Sequence, residues 1–134
     1  MDLFRRIVNG SFDKEAPQPA RLLIDTGASV SVIDEHWAAS RFPSAPARQV
    51  GMQTTGIHGH EGAATKFITL PSLFISGQDT GHREFTSMSL GHVNFAYNAV
   101  GVAPVQGLLG SDVLFRINAV VSYAERRMLF SIGS

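Results

Sequence analysis

The sequence predicts an all-β fold. Short apolar runs recur along the 134-residue chain, and Gly, Pro, Asn or Asp separates most of them, which is typical of short strands joined by turns. Apolar residues make up 44% of the sequence, enough for one compact core, whereas the length is too small for two ordinary domains. We therefore expect residues 1–134 to form a single domain.

The composition limits the classes of partner. Eleven Lys and Arg residues balance eleven Asp and Glu residues without a run of one sign, so we expect neither nucleic acid nor a membrane surface as a partner. No apolar stretch approaches the roughly 18 residues that cross a bilayer, and the opening MDLFRRIVNG lacks the apolar core of a signal peptide. The sequence favours a soluble, cytoplasmic protein, although a chain without Cys suits reducing and oxidising compartments equally.

The apolar runs and the turn residues place the elements. Predicted strands cover residues 3–8, 21–24, 30–33, 50–57, 63–70, 73–76, 85–90, 93–97, 119–123 and 128–132. The connector NGSFDKEAPQPA between the first two is a long hairpin loop with an Asn9-Gly10 turn. Two short helices are predicted, over residues 34–40 with Asp34 as the cap and over residues 111–116 with Ser111 as the cap.

One stretch, LLIDTGASVSVI from Leu22 to Ile33, places an ionisable residue in an apolar segment. Asp25 follows three branched apolar residues and directly precedes a Thr-Gly turn. Burial of a lone carboxylate is costly unless a partner compensates or the group becomes neutral. Asp25 is therefore either a capped turn residue or a reactive group.

A second motif, VQGLLGSDVL from Val105 to Leu114, lies about 80 residues further on, with a Gly-rich hairpin between the two. On these residues the chain resembles the retropepsin-like, or retroviral-type, aspartic proteases, and in particular their single-domain bacterial members. The resemblance covers residues 3–132. It implies a closed β-barrel protomer with one short helix after the second motif, active as a two-fold homodimer.

The implied chemistry explains the dimer. Peptide hydrolysis without a metal or a covalent nucleophile needs one carboxyl group to activate water and another to protonate the carbonyl oxygen. Because the chain carries a single DTGAS motif, the resemblance implies that Asp25 pairs with Asp25 of a second copy. The expected function is that of an aspartic endopeptidase acting on extended peptide or protein substrates, without a cofactor.

The resemblance assigns a role to each residue of the DTGAS motif. Asp25 is the catalytic carboxylate, and Thr26 ties the two active loops together across the dimer. Gly27 allows a close backbone approach and donates its N–H group to the carboxylate, Ala28 keeps the turn small, and Ser29 bonds the outer oxygen of Asp25. Without the second motif, ordinary turn and cap chemistry would explain Thr26 and Ser29 equally well.

The second motif supplies support rather than reactants. The residues implied to pack under the active loop are Leu108, Leu109 and Gly110. Asp112 is interpreted as a first-turn acid or as the partner of an Arg, and it is left out of catalysis. Retroviral members often carry Arg where this chain has Ser111. In the family the chain ends pair between subunits, and residues 127–132 alternate as such a strand would.

A Gly-rich hairpin is the candidate flap that closes over the substrate. Its predicted tip consists of Gly56, Ile57, His58, Gly59 and His60. The same tip leaves an alternative open, since His58, His60 and Glu61 are residue types that bind divalent metals. We favour a flap without a metal, because the sequence offers no further ligand at a suitable spacing.

Two hypotheses therefore remain beside the protease. A non-catalytic dimerisation or peptide-binding module could keep the same fold, and metal-dependent hydrolysis through the flap would survive Asp25→Asn. In the protease hypothesis the substrate lies across the dimer axis with alternate side chains in apolar pockets. The predicted wall residues of these pockets are Val30, Val32, Ile57 and Val105.

Overall fold

The structure is a computed structural model that describes residues 6–50, 65–122, 124–125 and 127–132. The described strands, β1 to β11 in chain order, are Ile7–Phe12, Gln18–Ile24, Val32–Asp34, Ala47–Val50, Thr65–Thr69, Leu73–Ile75, Gln78–Asp79, Glu84–Met88, Gly107–Leu109, Val120–Ser122 and Arg127–Leu129. The described helices, α1 to α3, are Glu35–Arg41, Gly91–Ala99 and Ser111–Arg116. None of these helices has the length and apolar character needed to cross a membrane.

The described strands form two sheets. Nine strands pair in the order β4-β5-β8-β3-β9-β2-β1-β6-β7, and β10 pairs with β11. The predicted all-β fold class is confirmed, as is the short helix after the second motif. The pairing of β10 with β11 is antiparallel and within the chain, with Val120 opposite Leu129, so β11 already has one strand partner of its own.

Apolar side chains cover both faces of the central strands. Alternate residues of a strand point to opposite faces, and accordingly Leu22 and Ile33 enter the larger core whereas Leu23 and Val32 pack against the smaller one. The larger core also contains a group of contacting aromatic rings, which are Phe12, Trp37, Phe42 and Phe85. Strands that are buried on both faces explain why the runs before and after the DTGAS motif are continuously apolar.

The first hairpin is tighter than predicted. Asn9 and Gly10 lie inside β1, where they pair with Arg21 and Ala20, so the predicted Asn9-Gly10 turn is wrong. A Cβ atom at Gly10 would lie 2.9 Å from the Leu22 side chain. This glycine therefore permits close packing rather than a turn. The turn is made by residues 13–17, where the Asp13 side chain accepts the N–H of Glu15.

The segment from 93 to 97 is helical, so the strand predicted there is wrong. It lies in α2, where Val93 packs against the smaller core, Tyr97 is buried and Phe95 is 79% exposed. Residues four apart share one face of a helix, which suits this pattern. Asn94 fixes the helix by donating to the Val105 carbonyl and accepting its N–H, at 3.0 and 2.8 Å.

The two predicted helix starts have different outcomes. Asp34 caps α1 as expected, because its Oδ2 accepts the N–H of Trp37 at 3.0 Å. The same carboxylate accepts the N–H of Leu90 at 2.9 Å and so joins α1 to the start of α2. Ser111 is already the first residue of α3, and the cap position is occupied by Gly110 without a side-chain hydrogen bond. The prediction of Ser111 as the cap is wrong.

Candidate active site

The two sequence motifs meet at the end of β9. This strand lies between β2, to which it is parallel, and β3, to which it is antiparallel. The chain leaves β2 at Ile24 and enters β3 at Val32, so residues 25–31 must pass over the end of β9. We call residues 25–29 the DTGAS loop; the second motif, Val105 to Leu114, contains β9 and the start of α3.

Backbone hydrogen bonds join the DTGAS loop to the second motif on both sides. The N–H of Asp25 donates to the Leu109 carbonyl at 2.9 Å, and the N–H of Ser111 donates to the Ala28 carbonyl at 2.8 Å. A Cβ atom at Gly110 would lie 2.7 Å from the Val30 carbonyl group, which is closer than van der Waals contact allows. Glycine is therefore needed for the second motif to support the loop.

The Asp25 carboxylate lies at the tip of this support. The N–H of Gly27 donates to its Oδ1 atom at 3.1 Å, as predicted for this glycine. In the described part of the chain, no cation and no second donor contacts the carboxylate. Thr26 and Gly27 are exposed, and Asp25 is half-buried. The carboxylate is thus held through its backbone and remains open on its outer side.

Ser29 does not have the predicted contact. Its side chain is exposed, and within the described residues it makes no hydrogen bond to Asp25. The buried serine of this region is Ser31, which is 0% exposed and is not among the residues predicted from the sequence. The sequence signal that points to Ser31 is its position between Val30 and Val32. A hydroxyl buried between two apolar residues needs hydrogen-bond partners of its own.

Ser31, which is buried, and Asp112, whose side chain is 28% exposed, form a clamp between the loop and α3. The Ser31 hydroxyl donates to Asp112 Oδ1 at 2.7 Å and accepts the N–H of Gly110 at 2.9 Å. The Ser31 N–H donates to Asp112 Oδ2 at 3.0 Å, and the Val113 N–H donates to Oδ1 at 2.8 Å. Asp112 is therefore in the first turn of α3, as predicted, but its main work is to fix the loop. We call this pair the Ser31–Asp112 clamp.

The neighbouring basic side chain of Asp112 is a histidine rather than the expected Arg. His82 Nε2 lies 3.7 Å from Asp112 Oδ2, and the His82 side chain is 11% exposed. Burial lowers the pKa of His82 below its usual 6.5, and the charge of Asp112 opposes this shift without overcoming it. A neutral imidazole is thus favoured next to the clamp.

A second Asp-Thr-Gly sequence, Asp79 to Gly81, occurs in the chain and is an alternative source of the other carboxyl group. Asp79 lies on β7 at one end of the nine-stranded order. Through the strand pairs, Asp79 aligns with Phe74, Ser11 and Pro19. Pro19 precedes Asp25 by six positions on β2, about 20 Å at ~3.3 Å per residue. The two aspartates therefore cannot share a proton within one chain.

The remaining predicted site residues divide into three groups. Val30 is 46% exposed, as a wall residue would be, but Val32 and Val105 are 7% and 1% exposed in the smaller core, so their prediction as wall residues is wrong. Leu109 is buried and Leu108 half-buried beneath the loop. The predicted flap tip, namely Gly56, Ile57, His58, Gly59 and His60, and the alternative ligand Glu61 lie outside the described residues.

The strands β4 and β5 lie immediately before residue 51 and after residue 64. β4 and β5 pair antiparallel, with Val50 opposite Thr65, which is the pairing that a hairpin requires. Within the described ranges there is no group of three acidic or histidine side chains placed to hold a metal ion.

An apolar cavity lies beside the exposed side of the DTGAS loop. It has a volume of about 340 Å³, and its lining residues are Thr26, Ser111, Leu114, Phe115, Ala119 and Val121. Phe115 is 81% exposed. An exposed aromatic ring at the edge of an apolar hollow is typical of a surface that binds another molecule.

Comparisons with known proteins agree with this geometry. A family model described as aspartyl protease matches residues 7–113, a range that contains the DTGAS loop and all of the second motif except its last residue, Leu114. No curated protein matches the sequence. Among solved structures, the chain is similar to the retroviral protease-like domain of Ddi1 from Leishmania major, at 12% identity and a TM-score of 0.58, with 92% of this chain and 86% of that chain covered.

Two further structures have lower TM-scores. A retropepsin-like aspartic protease from Rickettsia conorii has 16% identity and a TM-score of 0.49, with coverage of 87% of this chain and 75% of that chain. EIAV protease in complex with an inhibitor has 22% identity and a TM-score of 0.47, with coverage of 81% and 84%. The likeness of fold therefore rests on the Leishmania domain.

Proposed function

The chain belongs to the aspartyl protease family, and from this premise we propose that it is an endopeptidase whose active site is assembled by two copies. Asp25 of each copy supplies one carboxyl group. One group, as the carboxylate, takes a proton from water, and the other, as the acid, protonates the carbonyl oxygen of the peptide bond. Extended peptide segments are the proposed substrates, and no cofactor enters the reaction.

The observation that carries this proposal is the anchored but open position of Asp25. The second motif holds the backbone of the loop through Leu109 and Ser111. Among the described residues, the only donor to the carboxylate is the N–H of Gly27. A general base needs such fixed geometry together with free access for water. A carboxylate used only as a turn cap would not require the support of the Ser31–Asp112 clamp.

Two observations support a second copy as the source of the other carboxyl group. The other Asp-Thr-Gly sequence is too far away within the chain, as the strand register shows. Thr26 is exposed beside the apolar cavity and the exposed ring of Phe115. We propose that the two-fold axis passes near Thr26, where a second copy would cover this surface.

The test is cleavage of a diverse peptide library between acid and neutral pH by three proteins: the wild type, Asp25→Asn and Asp79→Asn. The last variant makes the same chemical change in the same tripeptide, remote from the loop. We expect Asp25→Asn to lower cleavage by at least about a hundredfold, because general acid–base catalysis contributes at least that factor. Asp79→Asn should retain cleavage.

The solution mass of the same samples completes the experiment. Cleavage by a protein that stays monomeric at every concentration tested would contradict the assembled site, and so would full cleavage by Asp25→Asn. A dimeric wild type that binds peptides without cleaving any of them would instead support a peptide-binding module.

A further inference from the structure

His82 is a largely buried histidine that lies next to the Ser31–Asp112 clamp. It follows the second Asp-Thr-Gly turn, and its ring packs edge-on against Phe85 with centroids 4.9 Å apart. Its Nε2 atom is buried and has no hydrogen-bond partner among the described residues. The nearest acceptor is Asp112 Oδ2 at 3.7 Å, which is too far for a hydrogen bond.

Asp112 is already engaged on both of its oxygens. Oδ1 accepts the Ser31 hydroxyl and the Val113 N–H, and Oδ2 accepts the Ser31 N–H. Ser31 in turn receives the N–H of Gly110, the glycine on which the DTGAS loop rests. A change at Asp112 therefore reaches the loop through a single intermediate side chain.

We propose that His82 is a positioning residue of the active site, and that the Ser31–Asp112 clamp keeps its geometry only while the His82 imidazole is neutral. The link to catalysis rests on the proposed function, whereas the effect on the clamp does not. A proton on Nε2 needs an acceptor, and a charge-assisted hydrogen bond requires about 2.8 Å. Asp112 Oδ2 would have to move by about 1 Å, away from its position on Ser31.

Besides Asp112, a backbone hydrogen bond at Glu84 and the charge of Glu84 favour the His82 imidazolium, but burial outweighs these contributions. The charged groups that act on it are Asp112 and Arg116 from α3 and Glu84 from β8. Arg116 opposes protonation, and its guanidinium is fixed by donation to the Gly81 carbonyl at 2.6 Å. The small cavity beside the ring, of about 100 Å³, is also lined by Val30, Phe67 and Thr86.

The direction of the pH effect follows from burial. Because the pKa of His82 in the folded protein lies below 6.5, the unfolded chain binds this proton first as the pH falls. The contribution of His82 to stability is constant well above pH 6.5, is lost as the pH falls from about 6.5 to the folded pKa, and then levels off. Within that window the folding equilibrium constant falls by up to about tenfold per pH unit.

The experiment compares His82→Gln with His92→Gln, an exposed histidine that also follows a glycine. Urea unfolding and peptide cleavage are both measured from pH 8 to pH 4. Relative to wild type, His82→Gln should gain stability by up to about tenfold per pH unit between about pH 6.5 and the folded pKa of His82. It should gain cleavage below that folded pKa, where the wild-type imidazole is protonated, and both ratios should be constant above pH 6.5. His92→Gln should give a constant ratio throughout. A constant ratio for His82→Gln would overturn the inference.

NMR titration of wild type and Asp112→Asn keeps the test valid if His82→Gln does not fold. The His82 ring should titrate below pH 6.5, and lower still in Asp112→Asn, because that variant lacks the charge that raises its pKa. A midpoint at or above 6.5, or one unchanged in Asp112→Asn, would overturn the inference. The predicted titration and stability profile in a protein without any cleavage would contradict the proposed function and support the clamp.

Discussion

The chain contains Asp-Thr-Gly twice, and the two copies share their local geometry but little else. In each, the glycine N–H donates to the aspartate Oδ1, at 3.1 Å from Gly27 and 2.8 Å from Gly81. The first copy follows a strand buried on both faces and exposes its threonine. The second lies at a sheet edge and buries its threonine, since Thr80 is 3% exposed and donates to the Leu73 carbonyl at 2.7 Å.

The difference shows that the tripeptide encodes a turn and that its surroundings determine its use. Asp79 is exposed, and hydrogen bonds from Ser72 and from the Gly81 backbone lower the pKa of its carboxyl group. The Asp79 carboxylate is therefore engaged in hydrogen bonds with neighbouring residues. In the described part of the chain, the Asp25 carboxylate has one such donor, and its loop is anchored by a segment distant in sequence. Only the first copy combines rigidity with an open carboxylate.

The largest expected effect comes from removal of the anchor that only the first copy has. Gly110→Ala places a methyl group 2.7 Å from the Val30 carbonyl and 2.9 Å from the Ala28 carbonyl. Overpacking against backbone should lower the free energy of unfolding by about 3 kcal/mol and reduce cleavage with it. Urea denaturation measures the first quantity. Unchanged stability would mean that the loop does not rest on this glycine.

A smaller effect separates the two threonines. Thr80→Val removes a buried hydroxyl that donates to Leu73 and accepts the N–H of His82, and it should cost about 1–3 kcal/mol because these groups lose their partner. Thr26→Val, at an exposed site, should stay within about 0.5 kcal/mol. Unfolding is best compared at low protein concentration, where a dimer contributes least. Equal losses in both variants would contradict the contrast between the turns.

The smallest effect separates the two glycines. Gly81 has a φ of +73°, so Gly81→Ala should cost about 1 kcal/mol through backbone strain. Gly27 lacks a positive φ, and a Cβ atom there would lie 3.5 Å from Asp25 Oδ1, an ordinary contact. Gly27→Ala should therefore change the free energy of unfolding by less than about 0.5 kcal/mol. Thermal unfolding of the two variants measures both losses of stability. A larger loss in Gly27→Ala than in Gly81→Ala would contradict this prediction.

Local signals in the sequence predict the elements that depend on neighbours in the chain. The Asp34 cap of α1 and the apolar run before Asp25 are examples, since each needs only a few adjacent residues. The packing role of Gly10 and the hydrogen-bonding role of Ser31 could not be predicted from such local signals. Gly10 is required by Leu22 and Leu73 across the sheet, and Ser31 acquires its meaning from Asp112.

The same limit applies to α2 and to the second Asp-Thr-Gly. The alternation of Val93, Phe95 and Tyr97 resembles a strand, and the helix is decided by packing against the smaller core and by the Asn94 bonds to Val105. The use of each Asp-Thr-Gly is set by strand order and register, which depend on pairings between segments far apart in sequence.

The position of β9 between β2 and β3 also has a consequence for the order of folding. The contacts that join the DTGAS region to its support span 79 to 85 residues of sequence. Such contacts form slowly, because a long loop must close before they contribute stability. During synthesis, the segment around Asp25 emerges well before the second motif and cannot acquire its support until that motif follows. In a nascent chain, the DTGAS loop therefore lacks its support until the second motif has been synthesised.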